Sequence, residues 1–191
     1  MKKMYKGMLL VLCAVLLVAA SVMGTLAYLK SETNPVTNTF TVGQVGITLN
    51  EAKTDEYGVT LTGNEAERVT GNEYKLVPGR TYEKAPTITV NTGSEDCWVF
   101  ARLNNGLSTN ATFDINGDDW TEITAGVYAY KQVLSASDSV VLFTKFTFNE
   151  NADPADYENA EIAIIGYAVQ AYGFTSAEDA WNATFGAPTN P

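Results

Sequence analysis

Hydrophobic and polar positions divide this chain into regimes of different period. Met8 to Met23 is an apolar run broken only by Ser21, preceded by Lys2, Lys3 and Lys6 and followed by the small-residue stretch Gly24-Thr25-Leu26-Ala27. A short basic segment, an apolar core and small residues at its end are the pattern of an export signal. The expected cut lies after Ala27, leaving Tyr28 as the mature N-terminus. The competing reading counts the apolar stretch from Met8 to Leu29, long enough to span a bilayer as an uncleaved anchor. Cys13 sits inside the apolar run and not after small residues, which argues against a lipoprotein.

Beyond a polar, Pro-containing segment, 28–39, the pattern changes to period two. Val45, Ile47 and Leu49 alternate within Phe40 to Leu49, which predicts a half-buried strand. Residues 50–77 are acidic and turn-rich, with Gly58, Gly63-Asn64 and Gly71-Asn72 around the short piece Val59-Thr60-Leu61, and predict a hairpin or loop excursion. Val77-Pro78-Gly79-Arg80 reads as a turn. Thr87 to Val90, a turn at Asn91-Thr92-Gly93-Ser94 and Cys97 to Leu103 then read as strand, turn, strand. In the second strand Trp98, Phe100 and Arg102 share one face, and Cys97, Val99, Ala101 and Leu103 the other.

A polar loop, 104–119, leads to three further β-prone runs: Trp120 to Tyr130, Val140 to Phe148 and Ile162 to Tyr172. The second is almost continuously apolar, as an inner strand between two sheets would be. One helix is expected in the mature chain, Ala177 to Thr184. It is capped by Thr175 or Ser176, with Glu178 completing a capping box on Thr175, and stopped by Gly186 and Pro188. Seven to nine short strands and one short C-terminal helix predict an all-β fold, an antiparallel β-sandwich. The domain reading is a signal peptide over 1–27, a mature N-terminal segment over 28–42, and a single sandwich domain over 43–191.

Charge narrows the partners. The net charge is −10, and removing residues 1–27, which carry three lysines and no acids, takes it to −13. Such a chain repels phosphate backbones and acidic lipid, so neither nucleic acid nor, once the signal is cut, membrane is an expected partner. The remaining 164 residues suffice for one core without disulfides. Cys97 is then the sole cysteine, read as a small buried apolar residue, with an intermolecular disulfide as the alternative. Histidine is absent, which removes Ser-His-Asp triads, Cys-His pairs and histidine-ligated zinc. No nucleophile elbow or Gly-rich phosphate loop appears either, so no catalytic or cofactor-binding residues are assigned and an enzyme is not expected.

Asp114, Asn116 and Asp118 alternate oxygen donors and form the one candidate metal site, for Ca²⁺. The spacing fails as an EF-hand loop, so the favoured reading is a solvated turn. The triplets Asn110-Ala111-Thr112 and Asn182-Ala183-Thr184 match a glycosylation acceptor that is short enough to recur by chance. Arg68, Arg80 and Arg102 are scattered and read as surface or ion-paired residues.

Several stretches in order resemble the TasA/camelysin family of Gram-positive exported proteins. They are Gly24-Thr25-Leu26-Ala27-Tyr28-Leu29, Asn38-Thr39-Phe40-Thr41-Val42-Gly43-Gln44-Val45, Val77-Pro78-Gly79 and Val90-Asn91-Thr92-Gly93-Ser94. Further on come Tyr128 to Leu134, Leu142-Phe143-Thr144-Lys145, Ala168-Val169-Gln170-Ala171 and Ala177-Glu178-Asp179-Ala180-Trp181-Asn182. The resemblance implies processing by a SipW-type signal peptidase at Ala27 and Tyr28, a jelly-roll-like sandwich, and a place at the cell surface or in the extracellular biofilm matrix. It also implies fibres in which the mature N-terminal segment of one subunit adds as a strand to the next. Some camelysin relatives are described as metallopeptidases; this chain lacks HExxH and every other histidine, so no zinc or catalytic residue is carried over. The expectation is a secreted fibre subunit, with a monomeric surface binding module using loop 104–119 as the alternative from another class and a secreted peptidase as the third.

Overall fold

A computed structural model describes residues 2–28 and 43–186, with side chains over 4–18 and 43–186. The chain separates into two compact units, Met1–Thr41 and Val42–Pro191. In the first, helix α1 (Lys2–Tyr28) contains the apolar run and ends at the proposed cleavage position. Its described side chains are exposed, among them Leu9, Leu10, Leu12, Leu16 and Leu17. Among the described residues no helix is long and apolar enough to cross a membrane. The rest of the segment proposed as a donor strand, residues 29–42, lies outside the described residues.

The second unit is all-β. Among the described residues its strands are β1 (Ile47–Ala52), β2 (Arg68–Val69), β3 (Thr81–Glu83), β4 (Thr87–Val90), β5 (Cys97–Asn105), β6 (Ala111–Phe113), β7 (Trp120–Thr124), β8 (Val127–Tyr130), β9 (Ser139–Val141), β10 (Lys145–Phe148) and β11 (Ile162–Gln170), and helix α2 (Ala177–Phe185) follows them. All pairings are antiparallel and form three sheets, ordered β2-β1-β4-β9, β3-β10-β6 and β11-β5-β8-β7.

The main core lies between the first and last of these sheets. Ile88 and Val90 of β4 and Val140 of β9 meet Cys97, Val99 and Ala101 of β5 and Trp120 of β7. Full burial of each larger apolar side chain contributes roughly 1.5–3 kcal/mol before chain entropy is set against it. Trp120 also joins the layers through a hydrogen bond, its Nε1–H donating to the Val141 carbonyl at 2.9 Å. Gly166 of β11 belongs to this packing. A Cβ there would stand 3.2 Å from Ile47 Cδ1, so the missing side chain is what lets β11 and β1 come close.

The face division expected for β5 is present, and both faces are covered. Cys97, Val99 and Ala101 enter the sandwich, while Phe100 and Trp98 pack on the other side against α2 through Trp181, 5.1 Å from Phe100 between ring centroids. Helix α2 starts at Ser176, whose hydroxyl accepts from the Asp179 N–H at 3.1 Å; Thr175 instead donates its hydroxyl to the Asp179 carboxylate. Ser176 thus supplies the cap, and Thr175, expected to form a capping box with Glu178, bonds the Asp179 carboxylate instead.

Four expectations are corrected. Among the described residues the first strand begins at Ile47, with residues 43–46 ahead of it outside any strand, while Phe40 to Val42 lie outside the described residues. Trp120 to Tyr130 is a hairpin turning at Gly126, whose φ is +71°, and not a single run. Val140 to Phe148 is not one inner strand but two, β9 and β10, which belong to different sheets. Residues 104–119, expected as a loop, also contain β6 paired with β10. β10 serves a separate small core of Tyr82, Leu107, Ala111, Phe146 and Phe148, where Tyr82 and Phe146 stack at 4.8 Å.

Candidate functional site

The distinctive feature of the sandwich is an unclosed side. β11 pairs with β5 along its whole length and, among the described residues, with nothing on its other edge. β1 pairs with β4 on one side; on the other it meets β2 at Glu51 and Ala52, and among the described residues nothing pairs with its edge over Ile47–Leu49. Arg68 covers the next position, donating to the Asn50 carbonyl at 3.1 Å and to its side-chain oxygen.

β11 is unusual for an edge. Ile162-Ala163-Ile164-Ile165-Gly166-Tyr167-Ala168-Val169-Gln170 contains no charged residue and no proline, the two devices that ordinarily keep an edge strand from pairing with another chain. Ile165 is 42% exposed on its outer face.

Past the close approach of Gly166 to Ile47, the ends of β1 and β11 border a cleft of about 1010 Å³. Its walls are Leu49, Asn50 and Glu51 on one side and Ile162, Ala163 and Ile164 on the other, with Leu76, Leu107 and Phe146 of the small core behind them. The loops 70–74 and 154–161 close its rim.

Polar residues also line the cleft, among them Glu73, Glu158, Asn159 and Glu161, and one ion pair is buried in its wall. The Lys84 ammonium donates to Glu51 Oε2 at 2.7 Å, with side chains 8% and 5% exposed. Lys84 is held there by its backbone, since its N–H donates to the Thr144 carbonyl and extends the β3–β10 pairing by one residue. Glu51 is held by Asn72, whose Nδ2 donates to Glu51 Oε1 at 2.9 Å and to the Ala52 carbonyl at 3.0 Å. The Asn72 oxygen in turn accepts from the Thr54 N–H at 2.8 Å. Beside them burial, with the Glu51 charge adding to it, pushes the Tyr74 hydroxyl up to about 12, so it remains a neutral donor to the Glu83 carbonyl.

The residues singled out from sequence lie elsewhere. Asp114 follows β6 and clamps the chain between β9 and β10: its Oδ1 accepts from the N–H groups of Thr144 and Lys145 at 2.7 and 2.8 Å, and its Oδ2 from the Thr144 hydroxyl. Burial alone would raise this carboxyl, but those hydrogen bonds outweigh it and hold the group below the usual range. Asn116 accepts from the Asp118 N–H at 3.0 Å and donates to the Asp119 carboxylate at 2.6 Å, forming a local turn. The side chains of Asp114 and Asn116 are thus engaged in local structure, and Asp118 gives its N–H to the same turn. Among the described residues no group of three or more His, Cys, Asp or Glu could hold a metal ion.

Cys97 is fully buried, and burial, with Asp96 nearby, pushes its thiol up to about 11. It acts as a core residue and is out of reach of a partner's thiol. Arg80 donates to the Tyr57 carbonyl and lies 5.2 Å from the Tyr57 ring, a structural role like that of Arg68. Comparisons with protein-family models, curated proteins and solved structures find no match for the chain.

Proposed function

We propose that this chain is an exported structural subunit that assembles with copies of itself by strand addition, the role implied by its resemblance to the TasA/camelysin family. In this reading a SipW-type signal peptidase cuts between Ala27 and Tyr28 and frees a mature N-terminal segment, 28–42. That segment enters the open side of the next subunit and pairs with it, building a fibre at the cell surface or in the extracellular matrix.

The observation that carries the reading is the edge of β11: nine uncharged residues without proline, unpaired among the described residues and bordering a cleft of about 1010 Å³. Backbone groups along such an edge supply affinity to an added strand, and alternate side chains facing the cleft supply specificity. Reach is sufficient, because fifteen extended residues span about 50 Å whereas a nine-residue strand spans about 30 Å.

The experiment is sedimentation and electron microscopy of the exported protein, with and without residues 28–39, over a range of salt, pH and divalent ion. Regular fibres that disappear on deletion support strand addition. A protein that stays monomeric throughout, or fibres indifferent to the deletion, would overturn it.

A further inference from the structure

Among the polar groups that line the cleft, the Lys84–Glu51 pair stands out because it is buried. Lys84 is 7% exposed, yet among the described residues its ammonium has one hydrogen-bond partner, Glu51 Oε2. An ammonium carries three donors, so two remain for whatever enters the cleft. Glu51 accepts from Lys84 and Asn72, and a carboxylate has room for about four such bonds. The pair therefore presents a donor and an acceptor side by side, with its charge already balanced. Its complement is a neutral group that both accepts and donates, which describes a side-chain amide.

The segment proposed to enter the cleft supplies one such group. In Val36-Thr37-Asn38-Thr39-Phe40-Thr41-Val42 the threonines occupy one parity, and Val36, Asn38, Phe40 and Val42 occupy the other. As a strand, it would turn the second set toward the cleft. Three of these positions are apolar, like Leu49, Leu76, Leu107, Phe146, Ile162 and Ile164 on the walls. The fourth is an amide. Pro35 marks the upstream end of the run, since proline lacks the N–H that ladder pairing needs.

We propose that Lys84 and Glu51 set the register of subunit addition by binding the Asn38 amide of a second copy, its oxygen on the Lys84 ammonium and its N–H on the Glu51 carboxylate. A slip of one residue would present a threonine and turn the apolar set outward. A slip of two would place Val36 or Phe40 against the pair and leave the ammonium donors unmet in a dry site, the costly outcome for a buried charge. A buried polar contact within an interface is an established means of fixing register. The inference rests on the strand-addition reading.

The test changes the entering segment and leaves the folded unit intact, so misfolding does not confuse it. The full chain is expressed with its N-terminal helix, recovered after export, and its critical concentration for assembly is measured by sedimentation for wild type, Asn38→Leu, Asn38→Lys and Thr39→Lys. Loss of a hydrogen bond to a charged group predicts a rise of about tenfold or more for Asn38→Leu. The like charge in Asn38→Lys predicts a larger rise, and Thr39→Lys, on the outward parity, stays within about twofold of wild type. If the wild type assembles and Asn38→Lys matches Thr39→Lys, the register role is overturned and strand addition survives. A wild type that never assembles overturns both.

Discussion

Replacing Glu51 by leucine removes the one ion-pair partner that a buried lysine has among the described residues. The Lys84 ammonium lies 2.7 Å from the Glu51 carboxylate, and the two side chains are 8% and 5% exposed. At such a separation an effective dielectric near 20 gives an attraction of several kcal/mol, which largely offsets the cost of taking both charges out of water. Removing one partner leaves that cost standing, and Asn72 Nδ2 also loses one of its two acceptors. Glu51→Leu should therefore destabilise by about 3–5 kcal/mol, a large share of the 5–15 kcal/mol typical of a folded domain. The double variant Glu51→Leu/Lys84→Met replaces the pair by apolar groups of similar volume and should fall within about 1.5 kcal/mol of wild type. Urea unfolding followed by tryptophan fluorescence measures both, with an unchanged m-value confirming that the midpoint shift is a stability change. A cost below about 1 kcal/mol for the single variant would refute the reasoning. So would a double variant whose cost equals the sum of the two single ones, because coupling of the pair is what is claimed.

Asp114→Asn should cost about 1 kcal/mol at pH 7, a figure kept low because the residue is exposed. Its folded carboxyl lies below the ordinary value, so its contribution is complete above about pH 4 and is lost as pH falls through the folded value; the gap between variant and wild type should close over that window. A gap constant from pH 7 to pH 3 in denaturant titrations would contradict the clamp. Cys97, buried with its thiol near 11, should resist a maleimide at pH 7.5 in the folded exported protein and react on denaturation. Mass spectrometry reads both states, and rapid labelling of the folded protein would contradict the assigned burial.

Legibility from sequence followed periodicity. β5 could be read down to its faces because apolar residues occupy both parities from Cys97 to Phe100, and both sides are covered. The start of α2 at Ala177 was legible, but Thr175 and Ser176 are equally capable caps, and the Asp179 N–H selects the second. The break between β9 and β10 is hidden by continuous hydrophobicity: Val140, Leu142 and Phe143 enter the main core, while Phe146 and Phe148 enter the small one. Apolar composition records burial and not which core is being filled. The cleft was not legible, because Glu51 opens an acidic stretch and Lys84 stands alone 33 positions later. Only the antiparallel return of β1 against β4, with Lys84 continuing from β3, brings them together. A signal was present in Ile162 to Gln170, a nine-residue strand with no charge to guard its edge.

The central claim is that the mature N-terminal segment of one copy lies in the open side of another. A photoreactive phenylalanine analogue at Phe40, in exported protein mixed from isotopically light and heavy cultures, tests this directly by mass spectrometry of the cross-linked peptides. Strand addition predicts light–heavy links from position 40 to β1, to β11 or to the cleft between them. Links confined to single copies, or directed to α2 or to loop 104–119, would contradict it.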